Sequence, residues 1–270
     1  MGSMPGFIGW VIGGYCCLLL LLFMAQRSLM YHPSRAMPIP ASYGVPELSV
    51  VEVPTSDKFK LHAWWRPPIG PDKATIIYLH GNAGHLGDRA SKVRPFLDDG
   101  YGVLLVSYRY NAGAGGQPNE EGLYLDGRAA YDFVLQQGIL AGRVVMYGES
   151  LGSGIVTKIA SENPVGAVIL EAPYSSIPDV AQTHYWYVPA RWMLLDTFPS
   201  IDRINRVGAP LLIVHGEADG VIPPRFGRML FEAAVQPKEA HFVPGGGHAN
   251  LYDYGIGRVV LDFLRRHTGS

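Results

Sequence analysis

Cysteine is nearly missing from this chain: two residues in 270, Cys16 and Cys17, adjacent and inside an apolar run. Anything folded downstream of them therefore has neither a disulfide framework nor a cysteine metal site. An excess of charge is missing too. The 22 lysines and arginines nearly balance the 23 aspartates and glutamates, for a formal net charge of -1, and no long run carries one sign. That leaves no electrostatic footprint for DNA or RNA, so no nucleic-acid partner is expected. No H-E-x-x-H pattern occurs, so no metal is expected, and no internal repeat is found.

Charge is also absent before Arg27, and the stretch FIGWVIGGYCCLLLLLFMA, Phe7 to Ala25, is apolar throughout. At about 1.5 Å per residue it reaches roughly 28 Å, close to the hydrocarbon thickness of a bilayer, with Trp10 and Tyr31 near the two interfaces. A cleaved secretory signal is the competing reading. The first six residues carry no lysine or arginine, the run is long for a signal core, and no clean small-x-small site follows it. Residues 1–30 are read as a retained single-pass membrane anchor whose partner is the lipid bilayer. Arg27 and Arg35 follow the span and no basic residue precedes it, which by the positive-inside rule leans toward a cytoplasmic catalytic domain. The sequence leaves the oligomeric state open.

Four prolines, at 33, 38, 40 and 46, make 31–46 an expected extended linker. Residues 47–270 then read as one catalytic domain. LSVVEVP and KLHAWWRPP look like paired strands; ATIIYLHG, YGVLLVSYRY, RVVMYGE, GAVILEAP and APLLIVHGE are short apolar bursts of buried strands. Helical stretches lie between them, at 89–97, 120–137, 151–162, 224–235 and 252–266. The alternation predicts an α/β fold, a mostly parallel sheet covered by helices on both faces. Residues 173–209 interrupt it with an aromatic-rich segment, read as a short helical lid; an ordinary packed crossover is the alternative.

The chemistry starts at Gly148-Glu149-Ser150-Leu151-Gly152, a G-x-S-x-G turn between a strand and a helix, where flanking glycines let the chain bend sharply and lift the serine. A serine hydroxyl needs a base, and the base needs an orienting acid. Asp219 follows one later strand and His248, after three glycines, the next, in the acid-then-histidine order such a fold uses. Glu171 and Glu217 are rival acids; His80, His215 and His241 read as structural histidines. The backbone N–H groups of Leu151 and Asn82 are the expected oxyanion donors. His184, Tyr185, Trp186 and Trp192 in the lid are expected to meet substrate.

The motifs HGNAG (80–84), PNEEGLYLDGRAAYDFV (118–134), GESLGSG (148–154), EAPYSSI (171–177), HGEADGVIP (215–223) and GGGHANL (245–251) stand in an order that resembles the α/β-hydrolase superfamily, specifically its single-pass membrane-anchored serine hydrolases. The resemblance implies an eight-stranded sheet, a Ser150-Asp219-His248 triad, no cofactor, and hydrolysis of esters or thioesters of an acyl-lipid or acylated substrate. Asn111, Ala112, Gly113 and Ala114 depart from the arginine-glycine-tyrosine-glycine type of loop that such proteins often carry there. A peptidase or amidase with the same triad, and a non-catalytic binding protein on the same fold, are the competing functions.

Overall fold

The computed structural model describes residues 4–269; residues 1–3 of the expected anchor and Ser270 of the expected catalytic domain lie outside the described residues. The chain opens with helix α1 (Met4–Met30), and Phe7–Met30 is, among the described residues, the one segment of helix long and apolar enough to cross a membrane. Then follow β1 (Ser49–Pro54), β2 (Lys60–Arg66), β3 (Thr75–Leu79), α2 (Ala90–Asp98), β4 (Gly102–Val106), α3 (Glu120–Gln136), β5 (Val144–Glu149) and α4 (Leu151–Glu162). The rest is β6 (Ala167–Glu171), α5 (Ile177–His184), α6 (Ala190–Met193), β7 (Leu211–Gly216), α7 (Arg225–Ala233), β8 (Lys238–Val243) and α8 (Ile256–Thr268).

The eight strands form one sheet in the order β1-β2-β4-β3-β5-β6-β7-β8, and only β2 runs against the others. The strands from β3 to β7 are buried on both faces, which is why they read as unbroken apolar bursts. Side chains alternate between two cores. In β3, Ile77 and Leu79 pack with α3, α4 and α7, while Ile76 and Tyr78 pack with α2 and α8 on the opposite face.

Strand order reverses at β3: the chain leaves it outward to β4 and returns on its other side as β5, with Leu79 opposite Gly148. The carboxyl ends of two parallel strands at such a reversal leave a crevice, the usual ligand position in open α/β sheets. Residues 80–82 and Ser150 leave the sheet there.

The expected linker departs from its reading. Residues 31–39 carry no regular structure, but Pro40–Tyr43 close into a 3-10 turn ended by Gly44 at φ 77°, and the whole segment is packed down: Tyr31 and Val45 are buried, Trp64 Nε1 donates to the Pro38 carbonyl at 3.2 Å, and Ser34 N donates to Asn111 Oδ1 at 2.8 Å. Its apolar side chains outweigh its turn residues, so α1 is held against the body of the protein.

Candidate active site

Ser150 sits between β5 and α4 at φ 49° and ψ −115°, a region that residues with side chains seldom occupy, at a cost of order 1–3 kcal/mol. The surroundings hold it there. Its N–H donates to the Glu171 carbonyl at 2.8 Å, and its carbonyl accepts from Ser153 N at 2.9 Å and Ser153 Oγ at 2.6 Å. A Cβ on Gly152 would lie 2.0 Å from the Leu79 carbonyl oxygen, and one on Gly148 2.6 Å from that of Gly152, so both flanking positions exclude any side chain.

The three residues dispersed along the chain meet. Ser150 Oγ is 3.0 Å from His248 Nε2, and His248 Nδ1 is 2.7 Å from Asp219 Oδ2. The other Asp219 oxygen accepts from the backbone N–H groups of Val221 and Ile222, both at 2.8 Å. Burial pushes the Asp219 carboxyl up, but hydrogen bonds from His215 and His248, the nearby His248 ring and the Ile222 N–H outweigh it and hold this acid well below the ordinary carboxylate range. His215, expected to be a structural histidine, lies 3.4 Å from Asp219 Oδ2 and also 2.8 Å from the Ile222 carbonyl, so it fixes the loop that carries the acid. Of the rival acids, Glu217 faces outward against Arg228 at 2.8 Å and Glu171 is buried beneath the turn.

Leu151 opens α4, so its N–H has no helical acceptor and faces the site from the positive end of the helix dipole. The 80–82 turn passes alongside: a Cβ on Gly81 would meet Ser150 Cβ at 3.4 Å. The side chain of Asn82 is tied elsewhere. Its Nδ2 donates to the Met30 carbonyl at the end of α1, and its Oδ1 accepts from His32 N at 3.4 Å. The buried His80 beside it is pushed down to about 4 by desolvation and by the Arg89 charge, so it is neutral at physiological pH.

Beneath Ser150 lies a charged network that sequence reasoning missed. Glu149 and Glu171 are buried, with Tyr78 donating to the first at 2.7 Å and Tyr147 to the second at 2.6 Å. Lys92 Nζ reaches Glu171 at 2.7 Å and Glu149 at 3.3 Å, and Arg89 adds a 2.9 Å pair to Glu149. Burial raises both acids; Lys92 and Arg89 together more than offset it for Glu149, whereas Glu171, with Lys92 as its one close cation and Glu149 nearby, stays raised. In the sequence Lys92 looks like a surface residue of a polar helix, and nothing local reveals its partners.

The residues of the expected lid, which folds as α5 and α6, divide. His184 and Tyr185 line a cavity of about 500 Å³ between this segment and α1, whereas Trp186 and Trp192, 80% and 90% exposed, project away from the protein. Among the described residues, no group of three or more His, Cys, Asp or Glu is placed to hold a metal ion.

Residues 70–202 match the family model described as Serine aminopeptidase, S33. The chain is 37% identical over 254 residues to the uncharacterized protein Rv2307c of Mycobacterium tuberculosis, an alignment covering 92% of this chain and 89% of that one. It is 30% identical over 233 residues to the lysophosphatidylserine lipase ABHD12 of Danio rerio, covering 75% of this chain and 61% of that protein. Among solved structures, the Pyrococcus furiosus esterase Pf2001 superposes with a TM-score of 0.70 at 20% identity, covering 88% of this chain and 99% of that one, a likeness of fold.

Proposed function

The chain belongs to the α/β-hydrolase superfamily and is a hydrolase, and from that premise we propose that it is a membrane-anchored serine hydrolase cleaving carboxylic esters, thioesters included, of lipid-like acyl substrates. The relay of 3.0 Å from Ser150 to His248 and 2.7 Å from His248 to Asp219 carries this reading. In it, Asp219 accepts the Nδ1–H of His248 and leaves Nε2 free to take the Ser150 proton as Oγ attacks the acyl carbon. The oxyanion forms against the N–H groups of Leu151 and Asn82, each such donor being worth about 2.7–4 kcal/mol in the transition state. His248 returns the proton to the leaving alcohol or thiol, then activates water to free Ser150 of the acyl group. The lipid-like substrate follows from α1: an apolar span of 24 residues keeps the domain at the surface where acyl chains reside. The lipase named among its relatives agrees with this.

A fluorophosphonate should label the wild type at Ser150 and leave Ser150→Ala unlabelled, with ester turnover down about 10⁴-fold or more in the variant. A folded wild type that resists the probe would refute the mechanism. The matched family model also gives a peptidase reading a specific motive. Matched ester and amide substrates separate the two, and faster cleavage of the amide would reverse the assignment.

A further inference from the structure

α1 is more than a tether, because one of its faces is built into the protein. Tyr15, Leu19, Leu22, Gln26 and Met30 recur every three or four residues and lie on one side of the helix. On that side Tyr15 Oη donates to the Tyr187 carbonyl at 2.6 Å, Gln26 Nε2 donates to the Met193 carbonyl at 3.3 Å, and Gln26 Oε1 accepts from Leu195 N at 2.8 Å. One residue on, Arg27 clasps the buried Asp196 with two bonds of 2.9 and 3.0 Å. Between these ties the helix and the lid stand apart and enclose the cavity of about 500 Å³.

We propose that this cavity is the acyl-chain slot of the enzyme, with the membrane helix as one wall and the lid as the other. The inference rests on the ester-hydrolase reading above and adds to it where the chain of the substrate goes. Leu22, Phe23 and Met30 form the helix side, and Val180, Ala181 and Leu194 stand across from them. No charged side chain lines the space; Gln26 is engaged with the lid backbone and His184 Nε2 with the Val221 carbonyl at 2.8 Å, and the remaining side-chain polar groups are the hydroxyls of Tyr185 and Tyr187. So largely apolar a wall suits an unbranched hydrocarbon better than a charged headgroup or a peptide. The volume falls within the range of about 300–1,000 Å³ usual for small-ligand sites. Ser150 and His248 do not line the space, but two residues that do are bonded to the loops beside them. Met30 is bonded to Asn82, and His184 to Val221, whose N–H supports Asp219. With α1 as the membrane anchor of that reading, its far side faces lipid, and an acyl chain passes from bilayer to slot without crossing water.

The test uses the full chain in phosphatidylcholine vesicles and compares kcat/KM for p-nitrophenyl palmitate with that for p-nitrophenyl acetate. Leu22→Trp and, separately, Ala181→Phe fill the slot from opposite walls; Leu20→Trp, on the exposed side of α1, is the control. Expelling two methylenes should lower the palmitate-to-acetate ratio about tenfold in each filling variant, with no change in the control. An unchanged ratio in both filling variants, while fluorophosphonate still labels them, overturns the slot and leaves the serine-hydrolase reading standing. So does an unchanged ratio accompanied by a phospholipid that co-purifies with wild type and not with Leu22→Trp, which reassigns the space to a resident lipid. A folded wild type that neither reacts with the probe nor cleaves any ester overturns the reading and the slot together.

Discussion

Replacing Lys92 with methionine keeps the length and apolar stem of the side chain and deletes the charge that Glu171 and Glu149 share. Glu149 retains Arg89 and Tyr78, but Glu171, fully buried, is left with the hydroxyl of Tyr147. An unpaired carboxylate cannot remain charged there, so Glu171 binds a proton on folding. Its folded pKa, raised already, rises further, and the sign follows. Above the unfolded value of about 4.3 the native state holds the extra proton, and each pH unit removes about 1.4 kcal/mol of stability. Relative to the wild type, whose Glu171 is itself raised, the loss is at most about 1 kcal/mol at pH 5 and at most about 4 kcal/mol at pH 7, the latter within the roughly 3–5 kcal/mol typical of breaking a buried ion pair. At roughly 2–4 °C per kcal/mol, thermal unfolding of the full chain in detergent should shift down by up to about 8–16 °C at pH 7 and by no more than about 2–4 °C at pH 5. Lys92→Met combined with Glu171→Gln removes both charges and should recover most of the loss at pH 7. Equal losses at both pH values, or a double variant no better than the single one, would refute this account. The network bears on function because Glu149 precedes Ser150 and the Glu171 carbonyl receives the Ser150 N–H, so loosening either acid loosens the nucleophile.

Three further outcomes follow from the same geometry. Asp219→Asn puts an amide where the carboxylate now accepts the Nδ1–H of His248, and should lower kcat by about 10⁴-fold through the wrong tautomer. Because the wild-type acid is depressed, it stays ionised as pH falls through the weakly acid range; a plot of log kcat/KM against pH should therefore have an acid limb of unit slope, and a slope of two would contradict that placement. Gly152→Ala forces β3 and α4 apart, since the added carbon would lie 2.0 Å from the Leu79 carbonyl oxygen, and should abolish fluorophosphonate labelling and lower Tm by several degrees. Gly208→Ala, where nothing lies within 4 Å, should do neither.

What the sequence discloses is what adjacent residues decide. Strands β3 to β7 are legible because burial on both faces makes them unbroken apolar bursts, and α4 runs from Leu151 to Glu162 as its pattern predicts. The turn at Ser150 is legible because its steric demand falls on Gly148 and Gly152, its neighbours in the chain. β8 is fainter: KEAHFV is an edge strand only half-buried, with none of the apolar run that marks β7. Choosing Asp219 over Glu217 rests on which carboxylate turns inward, a matter of two residues in a loop, and the motif supplied that choice where periodicity could not. Lys92 was illegible for a different reason. Its partners come from β5 and β6, more than fifty residues away, and a lysine in a helix reads as solvated until the opposing surface is known.

The apolar helix α1 shows the same limit more sharply. In a run where every residue is apolar, no periodic contrast distinguishes the face that meets lipid from the face that meets protein. The polar residues that close the run, Gln26 and Arg27, look like an interfacial flank, yet both turn inward, to the lid backbone and to Asp196. The tie from Tyr15 to Tyr187 lies fifteen residues before Met30, about 22 Å along the helix at 1.5 Å per residue. If α1 crosses a bilayer, the lid therefore enters it alongside, and its backbone must find partners without water. Three such groups do: the Tyr187 carbonyl on Tyr15, the Met193 carbonyl and the Leu195 N–H on Gln26. Side chains that would be ill placed on a mere tether would thus satisfy the backbone of this segment wherever a bilayer excluded water from it, while Trp186 and Trp192 face outward.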